Sequence, residues 1–132
     1  MACTEHPAGD RVVLVVDDDE DIRALFSAIL RRAGYQPRLA SSGRQALEQA
    51  GEQVPDLVIS DVSMPGLSGL EVCRALKAEP RTAATAVLLV SAHAGAQDRA
   101  AGLRAGADDY LTKPIAPAVL LEHVESLLES RA

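Results

Sequence analysis

Aromatic residues are almost missing from this sequence: they make up 2% of it, and tryptophan is absent. Valine, leucine, isoleucine and alanine must therefore fill whatever interior the chain builds. Cysteine is scarce as well. Cys3 and Cys73 are the two present, too few for the disulfide scaffold of a small secreted domain and in keeping with a reducing, cytoplasmic setting. Cys3 falls in an N-terminal tail, and Cys73 reads as a small core residue on a helix. No apolar run approaches the length needed to span a bilayer, so no membrane contact is expected. Residues 1–10 carry Glu5 and Asp10 without a hydrophobic segment and do not read as a secretion signal. An excess of basic charge is also lacking. The formal net charge is -6, which argues against direct nucleic-acid binding, because phosphate contacts need clustered Lys and Arg. There is no glycine-rich phosphate loop, since Gly66, Gly69, Gly102 and Gly106 are isolated. His93 has no partner at a metal-ligand spacing and reads as an exposed loop residue. His6 falls in the tail and His123 on the last helix.

What the chain does contain is a regular alternation. Its 132 residues, 48% hydrophobic and 24% charged, suffice for one folded domain with a real core. Residues 11–16 form an almost unbroken β-branched run, the mark of a strand buried on both faces. Ile22, Leu25, Phe26, Ile29 and Leu30 then recur at helical spacing, with acids at the helix start and Gly34 at its end. Residues 36–40 read as a weaker strand near a sheet edge. Ser42 to Gln45 fits a capping box for a second helix carrying Ala46, Leu47 and Ala50, bounded by Gly51 and Pro55. Residues 57–60 form a third strand ending on Asp61. Ser68 to Glu71 is a second capping box, opening a helix that turns Leu70, Cys73 and Leu76 inward and stops at Glu79-Pro80. A fourth strand ends at Ser91, an alanine-rich helix covers 97–105, and a fifth strand covers 109–112. Pro117 starts the last helix, which carries Leu120, Val124, Leu127 and Leu128. Five strand–helix units imply a parallel α/β sheet covered on both sides, over residues 11–130 after a flexible tail at 1–10. No second domain or further repeat is visible.

The strand ends carry the chemistry. Asp17 and Asp18 follow the first strand, Asp61 the third, Ser91 the fourth, and Lys113 the fifth. In a parallel sheet all of them meet at the carboxyl edge, where open α/β sheets place their ligands. Each alone has a plainer reading. Asp61 fits a turn cap, Asp17 and Asp18 a solvated charge run, Ser91 a turn residue and Lys113 a surface turn. Asp19, Glu20 and Asp21 are best explained as helix-start acids. Together, clustered carboxylates repel, and a hard divalent cation with oxygen ligands gives a reason to cluster them. Lys113 can pair with a carboxylate or a phosphate, and Ser91 can hydrogen-bond a phosphoryl oxygen. Such a site suits phosphoryl transfer onto Asp61 as a carboxylate nucleophile.

The chain resembles the receiver domain of bacterial response regulators, the chemotaxis-regulator-like family of two-component phosphorelays. The resemblance covers about residues 11–128. It rests on Val13-Leu14-Val15-Val16-Asp17-Asp18, Asp61-Val62-Ser63-Met64-Pro65-Gly66, Ser91-Ala92, Gly106-Ala107-Asp108-Asp109-Tyr110 and Lys113-Pro114. It implies a doubly wound, flavodoxin-like (βα)5 three-layer sandwich with strand order 2-1-3-4-5, an order that periodicity does not supply. It also implies roles. Asp61 is the phosphoacceptor. Asp18 binds the metal directly, Asp17 partly through water, and the Ser63 backbone carbonyl is a further ligand. The metal is Mg²⁺, with Mn²⁺ as a substitute. Ser91 is the switch hydroxyl, Lys113 contacts the phosphoryl group, and Tyr110 is the aromatic that changes rotamer. Ser63 and His93 match positions that tune dephosphorylation.

The implied partners are a sensor histidine kinase or a histidine phosphotransfer protein. A downstream protein would be reached through the face of the fourth helix, fifth strand and fifth helix, which also offers a route to a homodimer. The expected protein is a switch that assists its own phosphorylation and hydrolysis, not an enzyme acting on outside substrates. One departure is Ser68, where the family usually has Asp before this glycine. Ser is also a good helix cap, so the local structure is expected to survive. Two other readings remain: a phosphorylation-independent interaction module, and an aspartyl-phosphate phosphatase. The phosphatase lacks its expected second acid, because Ser63 stands two residues after Asp61. Whether the chain is a stand-alone regulator or part of a longer protein is open.

Overall fold

A computed structural model describes residues 11–129. The tail expected at 1–10, with Cys3 and His6, lies outside the described residues. The elements alternate as expected: β1 (Val12–Val16), α1 (Glu20–Arg32), β2 (Gln36–Ala40), α2 (Gly43–Glu52), β3 (Leu57–Asp61), α3 (Gly69–Ala78), β4 (Ala86–Ser91), α4 (Ala96–Arg104), β5 (Asp109–Thr112) and α5 (Pro117–Glu129). All strand pairs are parallel, and the sheet order is β2-β1-β3-β4-β5. This is the doubly wound order that the resemblance implied.

Strand side chains alternate between faces, and that period of two sorts the core into two layers. Val13, Val15, Leu57, Ile59, Leu88 and Val90 point to one face, where Phe26 and Leu30 of α1 and Leu120, Val124 and Leu128 of α5 cover them. Leu14, Val16, Val58, Val87 and Leu89 point to the other, against Ala46 and Ala50 of α2 and Val72, Cys73 and Leu76 of α3. The three central strands β1, β3 and β4 are buried along their whole length. Each fully buried Val or Leu contributes about 1.5–3 kcal/mol relative to exposure. That accounts for an interior that manages without tryptophan.

Local expectations fared unevenly. The Ser68 capping box is complete: its hydroxyl accepts from the Glu71 N–H, and the Glu71 carboxylate accepts from the Ser68 N–H at 2.9 Å. The Ser42 box is half made. Ser42 Oγ accepts from the Gln45 N–H, but the Gln45 amide oxygen accepts from the Ser41 N–H at 2.6 Å. Gly51 lies inside α2 rather than at its end. Leu25, expected on the inner face of α1, is 50% exposed. Ser27 takes the buried place instead, because the true stripe runs through Phe26 and Leu30. Cys73 is buried as expected, and burial pushes its thiol up to about 11, so it remains an inert protonated core group. No helix among the described residues is long and apolar enough to cross a membrane.

Candidate functional site

β1, β3, β4 and β5 run parallel, so their carboxyl ends converge at one edge of the sheet. β1 delivers Asp17 and Asp18 there. The Asp17 N–H donates to the Ala40 carbonyl, Asp17 Oδ1 accepts from the Asp19 N–H at 2.9 Å, and Arg23 Nη1 donates to the Asp17 carbonyl at 2.7 Å. Asp17 is thus held buried, whereas Asp18 is exposed. β3 delivers Asp61, which is nearly buried, and the ladder continues past it through the Val62 N–H to the Val90 carbonyl. β4 delivers Ser91, and the Lys113 N–H beyond β5 donates to the Ser91 carbonyl at 2.7 Å. The Lys113–Pro114 peptide is cis.

Two measurements define the site. One carboxylate oxygen from each of Asp17, Asp18 and Asp61 lies within 4.8 Å of the other two. Lys113 Nζ stands 3.2 Å from Asp17 Oδ2 and 3.2 Å from Asp61 Oδ1, so one ammonium is shared by two buried acids. The electrostatics follow. Burial raises the Asp61 pKa above its ordinary value, Lys113 works against that rise, and the negative charges of Asp17 and Asp18 add to it. For Lys113, burial disfavours the charge, but Asp17 and Asp61 outweigh it and hold its pKa above the ordinary value. An all-oxygen donor set with an excess of negative charge fits a hard divalent cation. A lone lysine neutralises only part of three carboxylates.

The loop after Asp61 is fixed by Gly69. A Cβ there would fall 2.2 Å from the Asp61 carbonyl oxygen and 2.9 Å from Val62 Cα, and the Gly69 N–H donates to the Val62 carbonyl at 2.8 Å. Only a residue without a side chain lets the start of α3 come this close. Ser63 is exposed on that loop. Ser91 is buried, and its Oγ accepts from the His93 N–H at 3.0 Å. Tyr110 lies inward, 2% exposed, and its hydroxyl donates to the His93 carbonyl at 2.9 Å. On the outer side, the Asp109 carboxylate pairs with His123 Nδ1 and stands 3.9 Å from Arg99 Nη2, which joins β5, α5 and α4.

The structure therefore brings Asp17, Asp18, Asp61 and Lys113 into one cluster, with Ser91 at the adjacent strand end and Tyr110 reaching it through His93. Reading by residue pattern did not single out Gly69, Arg23 or the Asp109–His123 pair. The signal for Gly69 was weak: a glycine at the first helical position, where helix formation alone has no need of one.

Comparison with known proteins decides the family. The response regulator receiver domain family matches residues 13–125. The chain belongs to that family. The receiver domain is 44% identical over 119 residues to the transcriptional regulatory protein PrrA of Mycobacterium tuberculosis, covering 90% of this chain and 50% of PrrA. It superposes on the chemotaxis protein CheY4 of Vibrio cholerae with a TM-score of 0.86 and 34% identity, covering 89% of this chain and 98% of CheY4. The BeF3-activated receiver domain of DrrB gives a TM-score of 0.82 at 34% identity, with 90% and 97% covered. The chain spans about half the length of the first curated relatives it matches. As a receiver domain with this acidic cluster, it has the architecture of the phosphoaccepting, phosphorylation-dependent switches of two-component signalling.

Proposed function

We propose that Asp61 accepts a phosphoryl group from a histidine kinase or a histidine phosphotransfer protein, in the cytoplasm, and that the domain covers residues 11–130. The observation that carries this reading is the Lys113 ammonium 3.2 Å from both Asp61 and Asp17, with Asp18 completing a cluster of oxygens. In the transfer, an Asp61 carboxylate oxygen forms a bond to phosphorus while the donor's phosphorus–nitrogen bond breaks. The electron pair leaves with the imidazole, and Asp61 becomes an acyl phosphate. Lys113 stands where it can shift from its carboxylate pairs to a phosphoryl oxygen, and the Ser91 hydroxyl donates to another. Asp17, Asp18, Asp61 and the Ser63 backbone carbonyl would hold the cation, Mg²⁺ or in its place Mn²⁺. When bound, it supplies positive charge that offsets the negative charge of the acids and of the incoming phosphoryl group.

The switch then works through Ser91 and Tyr110 on the face made by α4, β5 and α5. That face would receive a downstream protein or a second copy of the chain. The receiver acts on its own carboxylate and assists its own hydrolysis. It does not turn over outside phosphomonoesters, in keeping with Ser63 two residues after Asp61. Incubation with Mg²⁺ and acetyl phosphate should add one phosphoryl group to Asp61, detected by mass spectrometry and abolished in Asp61→Asn. An unmodified Asp61, even with a competent donor kinase present, would overturn the assignment.

A further inference from the structure

We propose that Gly102 is a positioning residue of the switch: the absence of its side chain lets the Tyr110 ring lie inward, and the His93 backbone carries that position to Ser91. The proposal rests on the assignment of Ser91 and Tyr110 above.

α4 has alanine at 96, 100 and 101, and is capped by Ala105. A glycine at 102 is the weak point of this helix, costing about 1 kcal/mol against alanine in a helix interior. It is also the one fully buried residue of α4. A Cβ at Gly102 would fall 2.9 Å from Tyr110 Cδ2 and 3.2 Å from Leu89 Cδ1. Leu89 is 0% exposed within β4 and belongs to the buried core on that face of the sheet. The added Cβ comes nearest to the Tyr110 ring, at 2.9 Å and 3.3 Å from two of its carbons, so the ring is the group that must shift first.

The ring position then reaches the site in two hydrogen bonds. The Tyr110 hydroxyl donates to the His93 carbonyl at 2.9 Å, and the N–H of the same residue donates to Ser91 Oγ at 3.0 Å. With one lone pair of Ser91 Oγ taken by the His93 N–H, its own proton is directed to a different acceptor. Arg99 Nη1 donates to the Tyr110 carbonyl at 3.0 Å, which keeps α4 against β5 on this side. Gly102 is therefore where the register of α4 sets the rotamer of Tyr110. The helix has no side-chain cap at Gly95, so its N-terminal half is held to β5 through Arg99, which also stands 3.9 Å from the Asp109 carboxylate.

The chain has two tyrosines, Tyr35 and Tyr110. Fluorotyrosine incorporated into a Tyr35→Phe background reports Tyr110 alone by fluorine NMR. Gly102→Ala should move that resonance to a solvent-exposed position, lowering the inward-to-outward ratio at least about fivefold. It should also change the rate of Asp61 phosphorylation by acetyl phosphate and Mg²⁺. In a Tyr110→Leu background the same substitution should leave that rate unchanged. An unmoved Tyr110 signal, or a rate effect that persists in Tyr110→Leu, overturns the proposal. If Gly102→Ala alone does not fold, Gly102→Ala with Tyr110→Leu should fold, because the shortest contact of the added Cβ is with that ring. A double variant that also fails to fold would equally sink the idea. The fluorine signal needs no phosphorylation, so its outcome is separate from whether Asp61 accepts phosphate.

Discussion

At the residue scale, the site is a compromise between burial and charge. Asp61 has its pKa raised by burial, in opposition to Lys113 and in concert with Asp17 and Asp18. A carboxyl whose folded pKa lies above its unfolded value costs stability when ionised. That cost is fully present above the folded pKa and disappears as pH falls through the folded value toward the ordinary 3.8. Lys113 has the opposite sign of effect. Its pKa is raised, so its contribution is present below the ordinary 10.5 and is lost as pH rises through the folded value. At neutral pH, without metal, ionised Asp61 therefore works against folding while Lys113 supports it. Asp61→Asn should raise the urea midpoint at pH 7, since Asp17 still pairs with Lys113. The gap to the wild type should narrow as pH is lowered toward 4. A gap that is absent at pH 7, or that does not change with pH, would contradict this account. Which residues meet was readable from the chain, because a parallel sheet brings Asp17, Asp18, Asp61, Ser91 and Lys113 to one edge. How Lys113 divides itself between two carboxylates was not. That depends on the twist of the sheet and the path after β5, which no residue pattern encodes.

At the scale of the element, strands were easier to read than helix faces. β1, β3 and β4 open as apolar runs, with polar residues only at the ends of β3 and β4, and such runs are buried on both sides. In α1 the apolar positions are more numerous than the core accepts, so periodicity put Leu25 inward although packing leaves it exposed. The two capping boxes show the same limit. The pattern at Ser42 and at Ser68 is alike, but only at Ser68 does the third residue reach back to the cap itself. The start of α3 allows a sharp comparison of neighbours. Ser68→Ala removes a cap and should cost about 1 kcal/mol in chemical denaturation, leaving Asp61 phosphorylation intact. Gly69→Ala drives a Cβ to 2.2 Å from the Asp61 carbonyl and must move the backbone of the acceptor residue. It should reduce the acetyl-phosphate reaction far more than Ser68→Ala, even when compared at conditions where both variants are folded. Equal reactivity of the two would mean that the loop does not position Asp61.

At the scale of the whole molecule, alternation alone was enough to predict a parallel sheet covered on both faces. The order of the strands came from the family resemblance, because period and length are the same for every doubly wound order. The fold then has one global electrostatic consequence. The chain carries a net charge of -6, and the sheet gathers three carboxylates at one edge against a single lysine. A cation that binds there would favour the folded state over the unfolded chain, where Asp61 is far from the adjacent Asp17 and Asp18. Folding and metal binding would thereby be linked, and a hundredfold excess over the dissociation constant would add about 2.7 kcal/mol. Mg²⁺ should raise the melting temperature of the domain, and KCl at the same ionic strength should raise it much less, since screening acts on all charges without preference for this site. Asp18 is the discriminating residue. It is exposed, whereas Asp17 and Asp61 are paired with Lys113, so Asp18→Asn removes one of the proposed ligands while leaving both ion pairs in place. The variant should melt at or slightly above the wild type without metal, through reduced repulsion, and should lose most of the gain from Mg²⁺. Equal gains from KCl and Mg²⁺, or a gain that survives Asp18→Asn, would show that the cation acts on the overall charge and not at the strand ends.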